Sequence, residues 1–389
     1  MRKTFCFKLY NTKRNRALRR QINATGLIYN HCIALHKRYY RLYGKYLDKN
    51  KLQKHLVKLK YKAKFSYICE IGSQAVQDIT DRIDRAYNLF WRNLEHKIKC
   101  SPPNFKKVRR YKSFTLKQTG WKLNEEAGII VIGKKPYRYF KSRKIEGKVK
   151  TVTIKRDAVG DIYIYFVCDV QCEIEIVKQR TGKSVGFDFG LKQFLTGSDG
   201  HDIKSPYFFM LNIEKIRKKC RNLSQKQEGS HNRNRARKEL ARAYRKMDNQ
   251  RKDFHFKTAR KLCEEYSVIF LETLNMKGMA RRWGRKVHSL GFYNFVEILK
   301  YEAMKLGTQI IFVDRYLPSS QLCSVCGYKN PAVKDLKIRE WECPNCHTMH
   351  DRDKNAAKNI LMAGASAIGG EPVRPEQSGR FVDTRIPCL

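Results

Sequence analysis

No uninterrupted run of about 18 apolar residues, the length that marks a membrane-spanning helix, occurs in the 389-residue sequence. The opening, Met1-Arg-Lys-Thr-Phe-Cys-Phe-Lys, has none of the apolar core of a secretory signal. Acidic residues are scarce: 36 Asp plus Glu stand against 82 Lys plus Arg, a formal charge of +46. Paired cysteines are missing over most of the chain. Nine of the 13, Cys6, Cys32, Cys69, Cys100, Cys168, Cys172, Cys220, Cys263 and Cys388, fall at no paired spacing, which fits reduced thiols and excludes a disulfide scaffold. No internal repeat is visible. These absences predict a soluble, intracellular protein, cytoplasmic or nucleoid-associated. The surplus of cations calls for a polyanionic partner, and its spread along most of the chain favours nucleic acid over a membrane surface, which would need one basic amphipathic helix or tail. A hydrophobic content of 42% is enough to bury real cores, so a disordered basic arm is excluded.

Hydrophobic periodicity divides what is present. Phe5, Phe7 and Leu9 alternate with polar neighbours and predict a half-buried strand over 3–10. Ile71, Ala75, Ile79, Ile83, Ala86, Phe90 and Leu94 recur at spacings of three and four, with Asp78, Asp81, Arg82, Asp84 and Arg85 on the other face, and predict a long amphipathic helix. Leu18, Ile22, Tyr29, Cys32, His36, Tyr40 and Tyr43 predict another, and Leu52, Leu56 and Leu59 a third. Cys100-Ser-Pro-Pro-Asn ends this helical region. Thr151-Val-Thr-Ile and the run from Asp161 to Cys168 then read as strands joined through a turn at Val159-Gly160-Asp161. Together with the amino-terminal strand they suggest a small β-barrel interrupted by the helices.

From 183 the pattern changes again. Ser184-Val-Gly-Phe-Asp-Phe-Gly reads as an apolar strand, Leu191 to Thr196 as its neighbour, and Ser198-Asp-Gly as a turn. Residues 213–262 hold 18 Lys or Arg against 5 Asp or Glu, including Arg233, Arg235, Arg237, Lys238, Arg242, Arg245 and Lys246. A helical block so one-sided repels itself without counter-charge, so phosphate contact is favoured over a merely solvated face. Val268-Ile-Phe-Leu and Ile310-Ile-Phe-Val read as buried strands on either side of a helix marked by Phe292, Phe295, Leu299, Ala303 and Leu306. The last 25 residues, from Ala365, have no periodicity and are expected to be mobile.

Two motifs carry chemistry. Cys323-Ser-Val-Cys326 and Cys343-Pro-Asn-Cys346 form two C-x2-C pairs 16 residues apart, the spacing of a structural Zn²⁺ ribbon. Four thiolates close the tetrahedron and leave no position for substrate. His347 and His350 could serve as spare ligands, but a complete thiolate set favours ordinary surface histidines. The second motif is three acids in costly places: Asp188 inside an apolar strand, Glu272 at the end of Val-Ile-Phe-Leu, and Asp353 at the start of Asp351-Arg-Asp-Lys-Asn-Ala-Ala-Lys-Asn-Ile. Each alone could be a cap. Together they suggest a carboxylate cluster that needs divalent cations to neutralise it, and a Mg²⁺ pair there would support phosphodiester hydrolysis.

Gly186-Phe-Asp-Phe-Gly, Phe270-Leu-Glu-Thr-Leu-Asn-Met-Lys-Gly-Met, Ser319-Ser-Gln-Leu-Cys-Ser-Val-Cys-Gly and Asp351-Arg-Asp-Lys-Asn-Ala-Ala-Lys-Asn-Ile resemble, in order, the split nuclease motifs and zinc ribbon of TnpB, a family of transposon-encoded RNA-guided DNA endonucleases related to the type V CRISPR effectors. The resemblance is specific over about 183–362 and weaker upstream, where Pro103-Asn-Phe-Lys-Lys and Ser113-Phe-Thr are similar to a segment entering the barrel. It implies a multidomain α+β chain: a wedge-like β-barrel (1–15 and 101–182), a helical recognition domain (16–100), an RNase H-like (RuvC) α/β nuclease domain (183–318 and 350–364) and an inserted zinc ribbon (319–349) that binds target nucleic acid, with a disordered tail (365–389). It implies Asp188, Glu272 and Asp353 as catalytic Mg²⁺ ligands. Asp353 is preferred to Asp351 because the family's third acid is followed two residues later by Asn, here Asn355. The implied partners are a guide RNA encoded near the protein's own gene and double-stranded target DNA with a short motif beside the target, bound by one monomer per RNA. The alternatives are a guide-free, structure-specific RuvC-like nuclease, which is usually smaller, and a non-cleaving RNA-guided repressor, which has no need of three acids.

Overall fold

The computed structural model of the chain describes residues 2–170, 182–274 and 276–369. It divides into two compact units, one spanning Met1–Cys172 and the other Glu173–Val382.

The first unit opens with β1 (Arg2–Lys8), followed by helices α1 (Asn15–Tyr43), α2 (Lys49–Leu59) and α3 (Ser73–Glu95). Strands β2 (Ser113–Leu116), β3 (Trp121–Asn124), β4 (Ile129–Ile132), β5 (Lys135–Arg138), β6 (Lys148–Arg156) and β7 (Ile162–Asp169) complete it. The long strands form an antiparallel sheet in the order β1-β7-β6-β2, and β3-β4-β5 form a separate meander joined to β1 by a Leu9–Tyr139 bridge. Among the described pairings, β1 and β2 are the sheet's two edges, so the expected barrel is not closed by them. The β6–β7 turn forms as its sequence dictates: Gly160 takes φ +104, and the Asp157 carboxylate accepts the N–H groups of Gly160 and Asp161 at 2.7 and 2.8 Å. One hydrophobic core runs through helices and sheet alike, from Phe5 and Phe7 through Ile22, Leu52, Leu56, Ile79 and Ile83 to Phe114 and Phe166.

Two expectations are corrected here. Tyr40 and Tyr43 are exposed, because α1 outruns the core it covers. Asp78, placed on the solvent face by periodicity, is buried. It accepts the Thr115 N–H at 3.0 Å and pairs with Arg82 at 2.8 Å, while Arg82 donates to the Ser113 carbonyl at 2.9 Å. The i, i+4 pair is how α3 grips the backbone of β2, and each charge is satisfied by the other and by the strand.

The second unit is built on β8 (Ser184–Phe189), β9 (Gln193–Gly197) and β10 (Ile203–Lys204), then α4 (Phe208–Ser224), α5 (His231–Glu265), β11 (Val268–Glu272), α6 (Met276–Leu290), α7 (Phe292–Leu306) and β12 (Gln309–Val313). The small strands β13 (Glu340–Glu342) and β14 (Met349–Asp351) precede α8 (Arg352–Gly369). The main sheet has the order β10-β9-β8-β11-β12, with β8, β11 and β12 parallel and β9 antiparallel to β8 and to β10. Alternation sorts its two faces. Val185, Phe187, Phe189, Ile269 and Leu271 pack with α5 and α7, whereas Phe270 and Val313 pack with Ile360 of α8. Gly186 makes the second contact possible: a Cβ there would lie 2.4 Å from the Ala357 carbonyl oxygen and 2.6 Å from the Leu361 nitrogen, so only glycine lets α8 lie on β8. β12 is an edge strand, with Phe312 exposed, where a buried strand was expected. Residues 365–369 continue α8 instead of starting the tail; the rest of the expected tail, 370–389, lies outside the described residues.

Candidate active site and metal centre

The four predicted zinc ligands converge. Cys323 and Cys346 Sγ are 3.5 Å apart, Cys326 and Cys343 Sγ 3.6 Å, and all four sulfurs lie within 4.8 Å of one another. A tetrahedral Zn²⁺ with bonds of about 2.3 Å needs sulfur–sulfur edges of about 3.8 Å, so the donor set fits the ion. The two turns are copies of each other. Gly327 N–H donates to Cys323 O and His347 N–H to Cys343 O, both at 2.9 Å, and Gly327 and His347 occupy the same left-handed position at φ +75 and +56. Hydrogen bonding, first from Asn345, holds the Cys326 thiol down at about 6. His350 departs from the expected surface role: it is buried, its ring lies 4.8 Å from that of Trp341, and its Nε2 stands 3.0 Å from Cys323 Sγ. His347 is exposed and pairs with Glu342 at 3.0 Å.

The carboxylates are assembled by topology. Asp188 lies two residues beyond Gly186 on β8, and Glu272 two beyond Phe270 on β11, so both face α8. The parallel register pairs Phe270 with Gly186 and Leu271 with Phe187, which brings Glu272 beside Asp188. Asp353 lies one helical turn before Ala357, the residue that rests on Gly186. The electrostatics agree with this convergence. Burial pushes the Asp188 carboxyl well above the ordinary range, and the charge of Glu272, the charge of Asp353 and a hydrogen bond with Glu272 push it further. Burial also raises Glu272. Both shifts favour the protonated carboxyl over the charged one.

Asp351 and Asp353 are separated by role. Asp351 is exposed and accepts the Lys354 N–H at 2.9 Å, capping α8. Asp353 is near enough for its charge to act on Asp188, and it accepts from Arg339 Nη1 of the ribbon at 2.9 and 3.3 Å. Arg339 escaped the sequence reading because nothing in Lys337-Ile-Arg-Glu-Trp distinguishes it from any surface cation. The basic block lies on α4 and α5: Arg235, Arg237, Lys238, Arg242 and Lys246 are exposed, while Arg233 donates to the Leu223 and Lys226 carbonyls at 3.3 and 2.5 Å and closes the turn between the helices.

The sequence profile of the OrfB_IS605 family, described as "Probable transposase", matches residues 166–282, and that of the "Cas12f1-like, TNB domain" matches residues 292–360. A Streptomyces pristinaespiralis protein named "Putative RNA-guided DNA endonuclease" is 26% identical over 387 residues, covering 97% of this chain and 93% of that one. The "TnpB-like protein L79" of Acanthamoeba polyphaga mimivirus is 30% identical over 292 residues, 66% of this chain and 53% of that one. Among solved structures, the protein of a cryo-EM complex of Cas12f1 with sgRNA and target DNA superposes with a TM-score of 0.55 at 16% identity, covering 90% of this chain and 83% of that one, a likeness of fold. Asp188 and Glu272 fall inside the first matched segment, and the four cysteines and Asp353 inside the second. The chain is thus similar to TnpB-like proteins, with an OrfB_IS605-like segment followed by a Cas12f1-like TNB segment.

Proposed function

We propose that this protein is an RNA-guided DNA endonuclease that cuts by divalent-metal-assisted hydrolysis, with Asp188, Glu272 and Asp353 as the metal-holding acids. The observation that carries the reading is that Asp188 and Glu272 stand side by side on the sheet face that α8 covers, with Asp353 of α8 near enough for its charge to act on Asp188, three acids drawn from segments more than 80 residues apart. A carboxyl such as Asp188, raised by burial and by two neighbouring acids, is unfavourable in a structural core and useful where a cation is to be held. The sheet order and the placement of the acids on β8, β11 and α8 support an RNase H-like nuclease domain. Mg²⁺ bound there would activate a water and stabilise the leaving oxygen of a phosphodiester. The chain's own part is to keep Asp188 and Glu272 side by side and to bring a ribbon guanidinium, Arg339, onto Asp353.

The guide is inferred from the names of the relatives, from the fold shared with an sgRNA-bound protein and from the charge. A nuclease that delegates sequence choice to base pairing must hold an RNA and an RNA–DNA duplex by their backbones, and +46 suits that task. Recognition of a short target-adjacent motif belongs to the same reading.

Replacing Asp188 with Ala tests it. Mg²⁺-dependent cleavage of target DNA should fall by about a thousandfold or more while affinity for co-purified RNA stays within about twofold. Equal loss of both would make Asp188 a fold residue. Cleavage that survives ribonuclease removal of the bound RNA would replace the guided reading with a guide-free nuclease.

A further inference from the structure

Three polar side chains on α8 are buried and donate to the ribbon. Arg352, Asn355 and Asn359 are 6%, 2% and 5% exposed. At spacings of three and four they line one face of the helix, and all three donate to the segment that carries the zinc cysteines. Asn355 Nδ2 donates to the Leu322 carbonyl at 2.6 Å, and its Oδ1 accepts the Ser324 N–H at 3.0 Å, so one amide grips the peptides on both sides of Cys323. Asn359 Nδ2 donates to the Ser319 and Leu322 carbonyls, both at 2.7 Å. Arg352 donates to the Asp335 and Ile338 carbonyls at 2.6 and 3.3 Å and to Ser320 Oγ at 3.3 Å, and its backbone N–H donates to Arg339 O at 2.8 Å. His350 adds its contact with Cys323 Sγ.

Asp353 lies in the middle of this set, between Arg352 and Asn355, with its carboxylate held by Arg339 of the same ribbon. We propose that Arg352, Asn355 and Asn359 are positioning residues that latch the zinc ribbon onto α8, so that a seated ribbon fixes the Asp353 carboxylate against Asp188 and Glu272. The inference rests on the nuclease reading for its consequence, but the latch itself does not. An apolar helix face would also have packed α8 against a neighbour. Amides and a guanidinium aimed at loop carbonyls do something more specific, because each donor left without its carbonyl would be buried and unpaired, so the ribbon has one seating and not several.

The test uses full-length protein with Asn355→Ala, Asn359→Ala and, as a control, Met362→Ala, which is half exposed on the same helix. Zinc content and the rate of zinc loss to a chromophoric chelator are measured first. Both Asn variants should purify with zinc and release it faster than wild type, by about tenfold for one lost buried hydrogen-bond pair, and Met362→Ala should match wild type. Cleavage is then titrated with Mg²⁺. A loosened Asp353 raises the Mg²⁺ concentration needed for half-maximal cleavage without changing the KM for DNA, whereas general unfolding would lower the amplitude and leave the Mg²⁺ midpoint in place. Should Asn355→Ala destabilise the unit globally, Asn359→Ala, which leaves the Ser324 contact intact, carries the decision. Wild-type zinc release from both variants overturns the latch, and so does a shared loss of amplitude at an unmoved Mg²⁺ midpoint. If the latch variants shed zinc early but wild-type protein cuts no DNA, the nuclease reading fails while the latch stands.

Discussion

The second unit holds two clusters of anionic side chains, and they are built in opposite ways. The four cysteines come from two short turns with the same hydrogen bonds and the same left-handed residue after the second ligand, and their sulfurs already stand near the edges of a tetrahedron. The three acids come from two parallel strands and a helix far apart in the chain; the charges of Glu272 and Asp353 act on Asp188, and Asp353 is paired with Arg339. A closed thiolate cage satisfies itself and excludes substrate. A carboxyl that burial and neighbouring like charge drive upward in pKa, as at Asp188, is relieved by a proton or a cation from outside. The difference separates a centre that closes on itself from one left open to a cation.

Removing one thiolate should have the largest effect. Cys343→Ser leaves three ligands for an ion whose binding contributes on the order of 10 kcal/mol to small zinc modules. Zinc measured by atomic absorption should drop from one per chain to none, and the buried Trp341, whose packing depends on the ribbon, should shift its fluorescence toward that of an exposed indole. Retention of a full zinc equivalent would erase the contrast between the two clusters.

An intermediate effect is expected at the acids, with the opposite sign for stability. The folded-state pKa values of Asp188 and Glu272 lie above their ordinary values. Their contribution is therefore favourable below the unfolded pKa of about 4 and is lost as the pH rises through the folded values. Metal-free protein should lose stability as the pH is raised from 4 toward 7. Asp188→Asn, which removes the ionisation but keeps the shape, should be more stable than wild type at pH 7, with a Tm raised at about 2–4 °C per kcal/mol relieved, and should show a flatter pH dependence. A thiolate cage shows no such gain from losing a ligand. An Asp188→Asn variant that melts below wild type at pH 7 without metal would show that the acids are a structural network after all.

The same contrast explains what could be read from the sequence. The cage was legible in full, because C-x2-C spacing is a local constraint and its geometry follows from a few residues. The strand contexts of Asp188 and Glu272 were legible as oddities, acids in apolar runs, but their meeting depends on the parallel register of β8 with β11 and on Gly186 admitting α8, and neither is local. Arg339 and the buried His350 were invisible for the same reason, since their partners lie 14 and 27 residues away. In the first unit the helices α2 and α3 followed from periodicity, but Asp78 did not. A period of 3.6 assigns faces, and it cannot say that β2 crosses at the polar one with a free N–H to offer.

The smallest predicted effect sharpens the choice inside the acid cluster. Asp351 and Asp353 are two residues apart, so on a helix they would point in directions about 200° apart, and Asp351 in fact sits at the end of β14, opposite Glu340. Its carboxylate accepts the Lys354 N–H at 2.9 Å, the contact a helix N-cap makes, and losing such a cap costs about 1 kcal/mol. Asp351→Ala should therefore lower the Tm by only a few degrees and keep Mg²⁺-dependent cleavage within about threefold of wild type, since the cap is made again in part by water at an exposed site. Asp353→Ala should do the reverse, sparing the Tm, because its partner Arg339 is half exposed and can turn to solvent, and removing cleavage. Equal loss of activity in both variants would mean that the start of α8, and not one carboxylate, is what the reaction requires.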